Sequence, residues 1–142
     1  MEKQLNQLLA DFVVEYHKLQ NFHWYVKGKD FFTVHAKLEE WYNAINSSID
    51  EVAEMLLMLK KAPLASLKEF MEVSKINEAE GVHRSSADVF KEVKNDFGYL
   101  LEVVSSIKKD ADEKDIYMVS ALMDDYIKEF SKSIWMLEQV VD

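Results

Sequence analysis

Four long apolar series, each advancing by three and four residues, run through the 142-residue sequence, and only three glycines and one proline interrupt them. That step is the period of one helix face, so the chain has the pattern of long helices and lacks the alternation of strands. Leu5, Leu8, Phe12, Tyr16, Leu19, His23 and Val26 predict a first helix over about residues 3–27, stopped at Gly28. Val34, Leu38, Trp41, Ile45, Ile49, Val52, Leu56 and Leu59 predict a second, capped by Asp30 and ended before Pro63.

Ser66 offers an N-cap for a short helix with Leu67, Phe70 and Met71 on its apolar side, lying across the bundle. A third long helix opens at Ser85 or Ser86 with Asp88 and carries Val89, Val93, Phe97, Leu100, Val104 and Ile107. After an acidic turn, Asp110 to Asp115, a fourth carries Ile116, Val119, Met123, Tyr126, Phe130, Ile134, Leu137 and Val141. The expected fold class is all-α: a four-helix bundle forming one domain over residues 1–142, with a short extra helix in the long connection.

A hydrophobic content of 49% supplies a core for such a bundle. The absence of cysteine removes disulfides and thiolate ligands, so any metal must be held by histidine and carboxylate. A formal net charge of −9 attracts cations and repels phosphate backbones, so nucleic acid is not an expected partner. No apolar stretch is long enough to span a bilayer and the first residues lack a signal-peptide layout, which predicts a cytoplasmic protein.

His23 stands in the apolar stripe of the first helix, where an imidazole needs a hydrogen-bond partner or a metal. The second helix carries His35 and Glu39, then Asp50 and Glu54, two pairs at i, i+4 beside its apolar stripe. Glu39 and Asp50 are close to three whole turns apart, so the pairs face similarly, while His35 and Asp50 lie ~22 Å apart along the axis. Two metals sharing ligands sit only ~3.5–4 Å apart, so one copy of this helix cannot bring both pairs to one dinuclear centre.

Two copies crossing antiparallel about a two-fold axis near Ala44 and Ile45 would place His35 and Glu39 of one against Asp50 and Glu54 of the other, giving two identical sites per dimer. Asn43, Ala44, Asn46, Ser47 and Ser48 are small or polar and permit that close approach. Imidazole and carboxylate ligands suit iron, manganese or zinc. The competing reading makes the carboxylates an exposed helix face shared with Lys37 and His35 incidental; from the residues alone both stand.

Other candidates are weaker. Glu80-Gly81-Val82-His83 has the Glu-x-x-His spacing of di-iron bundles, but it occurs once and contains a glycine, which makes His83 a loop residue. His17 falls off the buried stripe, and Trp24, Trp41 and Trp135 read as core. There is no glycine-rich phosphate loop, no arguable Ser-His-Asp arrangement and no basic patch.

Three blocks together are more specific. Asn21-Phe22-His23-Trp24-Tyr25-Val26-Lys27-Gly28, then Phe31-Phe32-Thr33-Val34-His35, then Asp50-Glu51-Val52-Ala53-Glu54 closely resemble the signature of Dps-like ferritins. Leu67-Lys68-Glu69-Phe70 and Trp135-Met136-Leu137 extend the likeness over essentially the whole chain.

The resemblance implies a ferritin-like four-helix bundle assembled as a hollow dodecamer. In it His23, His35 and Glu39 of one subunit and Asp50 and Glu54 of its two-fold partner bind two iron ions, with zinc or manganese as competitors. It further implies a ferroxidase that oxidises Fe(II) with hydrogen peroxide, stores ferric mineral and protects against oxidative damage. Asp110, Asp112, Asp115, Asp124 and Asp125 become candidates for a pore or inner wall.

Some positions depart from common family patterns: Met55 replaces a frequent Arg, Phe130-Ser131-Lys132 a frequent His-Glu-Lys, and Glu39 is the longer of two carboxylates seen at its position. Many relatives bind DNA through a Lys-rich terminal arm. This chain opens almost directly on the first helix and ends soon after Trp135, so a homo-oligomer without appreciable DNA binding is expected. A DNA-compacting protein with iron secondary is the alternative.

Overall fold

The computed structural model describes residues 1–141 and is built of α1 (Glu2–Tyr25), α2 (Phe31–Met58), α3 (Leu67–Val73), α4 (Ser86–Glu113) and α5 (Tyr117–Glu138). Four long helices and one short one, with no strand among the described residues, form the expected all-α bundle. The main pairings are α1 with α2 and α4 with α5, while α3 lies against α1.

The apolar stripes became the core: Leu5, Leu8, Phe12, Leu19, Leu38, Val52, Leu56, Val93, Leu100, Val104 and Met123 are fully buried. At the centre, edge-on contacts of Trp41 with Phe97 and of Phe12 with Tyr126 interlock all four long helices.

Two predicted caps form as expected. Ser66 Oγ accepts from Glu69 N–H, and Ser85 Oγ accepts from Asp88 N–H. Asp30 occupies the N-cap position of α2, but its side chain makes no capping bond; its Oδ2 accepts from Ser86 Oγ at 2.7 Å and ties the α1–α2 turn to the start of α4.

The acidic stretch predicted as a turn is largely helical, since α4 continues through Asp110, Asp112 and Glu113, and the reversal is made by Lys114 and by Asp115 at φ 55°. Lys108 neutralises this end: its Nζ donates to Ser120 Oγ at 2.6 Å and Asp124 Oδ2 at 3.0 Å, and lies 3.6 Å from Asp112. Asp110 pairs with Lys114 at 3.7 Å. Three of the five aspartates considered for a pore or inner wall are therefore already paired with lysine.

Trp41 is buried, but Trp24 and Trp135 are 63% and 60% exposed, contrary to the core assignment. Each falls between buried positions, Trp24 beside His23 and Trp135 two residues before Leu137, and one residue turns a helix by about 100°.

The periodic reading also missed a second buried side of α1. Asp11, Glu15 and Lys18 are almost completely inaccessible because α1 is covered by α3 and α4 as well as by α2. Asp11 accepts from Tyr99 Oη at 2.7 Å and from Ser74 Oγ and Lys75 N–H. Lys18 Nζ is 2.8 Å from Asp96, and Arg84 and Lys18 flank Glu92.

Among the described residues, neither Glu15 oxygen meets a donor. Burial first, then the nearby Asp96 carboxylate, holds its carboxyl well above the ordinary carboxylate range.

Candidate metal centre

The α1–α2 turn brings the first group of site residues together. α1 ends at Tyr25, Gly28 takes φ +148°, and α2 starts at Phe31. A Cβ at Gly28 would sit 3.3 Å from Asp30 Oδ1, in a conformation that side chains resist. The connection to α4 clasps this turn: Lys27 N–H donates to Arg84 O and Arg84 N–H to Tyr25 O, while His83 Nδ1 lies 3.0 Å from the same Tyr25 carbonyl. His83 is an exposed loop residue.

Inside the turn, His23 and His35 stack face to face with ring centroids 3.6 Å apart and planes 13° from parallel. Their bonding is reciprocal. His23 Nδ1 lies 2.7 Å from His35 O, and His35 Nδ1 lies 2.7 Å from His23 O. A carbonyl only accepts, so each Nδ1 carries the hydrogen and each Nε2 of a neutral ring is left with a free lone pair. Such second-sphere bonds orient metal-ligating imidazoles and fix their tautomer.

Phe31 covers the His35 ring at 4.7 Å, and Tyr42 meets the His23 ring edge-on at 5.2 Å. His23 is 5% exposed and His35 half-buried. Glu39 joins them from α2, its Oε1 3.7 Å from His23 Nε2. The structure thus gathers His23, His35 and Glu39.

Asp50 and Glu54 form the second group, exposed on α2 beyond its midpoint. A hydrogen bond with Asp50 first, and its negative charge second, raise the Glu54 carboxyl above its usual value. Two neighbouring carboxylates supply hard oxygen donors of the kind cations select. Glu51, between them in sequence, turns away and accepts from Tyr126 Oη at 3.3 Å.

Among the described residues of a single chain, no three His, Asp or Glu side chains are arranged to hold a metal ion. The histidine group, from the end of α1 and the start of α2, and the carboxylate pair farther along α2 are two separate groups of candidate ligands.

Tyr42 was missed by the sequence reading, which weighed histidines, carboxylates and tryptophans. Its signal was the i, i+3 spacing from Glu39, which puts the two on one helix face.

Comparison with known proteins supplies the relationship. A family model for the ferritin-like domain matches residues 2–142. The DNA protection during starvation protein of Helicobacter pylori is 35% identical over 134 residues, 94% of this chain and 93% of the relative. General stress protein 20U of Bacillus subtilis is 37% identical over 94% of this chain and 92% of its own length.

Among solved structures, antigen TpF1 of Treponema pallidum superposes with a TM-score of 0.96 at 34% identity, covering 98% of this chain and 89% of that one. A Dps protein of Vibrio cholerae, described as a member of a broad superfamily of ferritin-like diiron-carboxylate proteins, gives 0.93 at 35%, covering 97% and 86%. With a family match over nearly its whole length and relatives above a third identical end to end, the chain belongs to the Dps family of ferritin-like proteins.

Proposed function

We propose that this protein is a ferroxidase and iron store, oxidising Fe(II) with hydrogen peroxide at dinuclear sites between two-fold-related subunits of a hollow dodecamer. The observation that carries the reading is the division of ligands on α2. His35 of α2 and His23 from the end of α1, tautomer-locked with free Nε2 lone pairs, stand with Glu39 at one end of that helix; the paired carboxylates Asp50 and Glu54 stand ~22 Å away at the other. A two-fold axis through the middle of α2 would complete two equivalent sites.

At each site His23, His35 and Glu39 of one subunit, with Asp50 and Glu54 of its partner, would hold two Fe(II) as substrate. Each iron gives one electron, the peroxide O–O bond breaks, and two protons complete two waters, so no hydroxyl radical is released. Ferric product collects as mineral inside a shell of acidic chains, protecting against oxidative damage. Zinc and manganese share the preference for these ligands and would compete.

The test is anaerobic loading with Fe(II) followed by peroxide: about one peroxide should be consumed per two Fe(II), as two one-electron donors require. Single-iron stoichiometry, or oxidation that survives His35→Ala or Asp50→Ala, would overturn the assignment.

The names of several relatives speak of DNA protection, which favours a second reading, a DNA-compacting protein with iron secondary. The net charge of −9 weighs against direct contact with duplex DNA. A low-salt gel shift with metal-free protein separates the two, and a stable complex would favour compaction.

A further inference from the structure

We infer that Tyr42 is a positioning residue for Glu39, holding that carboxylate ready for the metal ion it binds; the inference rests on the site reading above. Glu39 is the least constrained of the histidine-side group: its side chain is 54% exposed, and His23 Nε2 is 3.7 Å from its carboxylate. The Tyr42 hydroxyl donates to Glu39 Oε1 at 3.4 Å, across three residues of the same helix.

Tyr42 itself has little freedom. Its ring meets His23 edge-on at 5.2 Å and 84°, and Tyr16 edge-on at 5.8 Å and 80°. Tyr16 in turn accepts from Gln20 Nε2 at 3.2 Å. A ring wedged between α1 aromatics thus carries a donor to a carboxylate on a mobile three-torsion arm. Unheld, that arm must lose its rotamer freedom when the metal arrives; a fixed donor removes part of that cost beforehand.

The contact also touches the histidine pair from the other side, since the same tyrosine ring packs against His23. Tyr42 therefore links the carboxylate to the imidazole group, and its effect should fall on the ion that depends on Glu39.

The experiment titrates the metal-free assembled protein with Co(II) alone, read by its visible absorption bands. Glu39→Ala identifies the binding event that depends on Glu39. Tyr42→Phe keeps the ring and removes the hydroxyl; it should weaken that same event about tenfold, at the lower end for loss of an outer-sphere partner. The other event and the melting temperature of the metal-free protein should stay unchanged.

In a Glu39→Asp background, whose shorter arm recedes from the hydroxyl, Tyr42→Phe should have no further effect. Wild-type affinity in Tyr42→Phe, equal weakening of both events, or an undiminished effect in the Glu39→Asp background would overturn the positioning role. Failure of the wild type to take up Co(II), or uptake that survives loss of His23 and His35, would overturn the site reading itself, a result distinct from wild-type binding by Tyr42→Phe.

Discussion

His23 and His35 each bond through Nδ1 to the other's backbone carbonyl, both at 2.7 Å, so each ring is held by main chain and keeps its anchor when the other ring is removed. His35→Ala should remove one ligand and the ring stacked on His23 at 3.6 Å, while the His23 bond to the residue 35 carbonyl remains. Loss of an outer-sphere bond lowers metal affinity by about 10–100-fold, and here a ligand itself is lost. Peroxide-driven iron oxidation, followed by ferric absorbance, should fall by more than that range.

A site split between chains, as proposed, has a sharper consequence. His35→Ala and Asp50→Ala disable opposite halves, so shells of either variant should be inactive. Shells assembled from an equal mixture should recover about a quarter of the wild-type rate, because a site is whole when its histidine half comes from the Asp50→Ala chain and its carboxylate half from the other. No recovery in mixed shells would show that each chain builds its site alone.

Glu15 sets a pH dependence. Burial raises its folded-state carboxyl well above the ordinary value, so the folded protein keeps a proton that the unfolded chain releases. Stability should be greatest below the unfolded value of about 4.5 as far as this group decides it, and should fall as pH rises through the folded value. Glu15→Gln keeps the neutral shape and should flatten that decline, measured as melting temperature from mildly acid to alkaline buffer. An unchanged slope would mean that Glu15 is ionised in the fold.

Phe97 is 1% exposed and packs against Trp41 and Phe130. Phe97→Ala should cost about 3–5 kcal/mol, by lost burial and by the cavity left. Denaturant unfolding of the assembled protein would report it as a lower midpoint.

Ser120 is nearly buried at the α4–α5 reversal, where its hydroxyl is shared by Lys108 and Asp112. Ser120→Ala should cost about 1–3 kcal/mol, the range for stranding partners of a buried hydrogen bond. The loss should appear in thermal unfolding while iron oxidation by the native protein is unaffected.

Apolar period made much of this fold legible: the stripes of α2, α4 and α5 and the caps at Ser66 and Ser85 needed only local rules. α1 defied the one-face reading because several neighbours cover it, so Asp11, Glu15 and Lys18 are internal although their charges suggested solvent. Asp30 looked like a cap and serves Ser86 instead, a contact 56 residues away that no local pattern contains. At the candidate centre, spacing was enough to separate the two ligand groups along α2. The reciprocal histidine bonds and the hold of Tyr42 on Glu39 depend on how α1 folds back onto α2, which a list of candidate ligands does not carry.

The unbroken 28 residues of α2 also act as a ruler. A single residue inserted between Glu39 and Asp50 would swing the carboxylate pair about 100° around the axis, and two whole turns would restore the facing but lengthen the span by about 10 Å. The proposed two-chain site therefore constrains phase and length together, and neither could drift without the other. Insertions and deletions in this lineage should accumulate in the stretches flanking α3, where nothing is being measured.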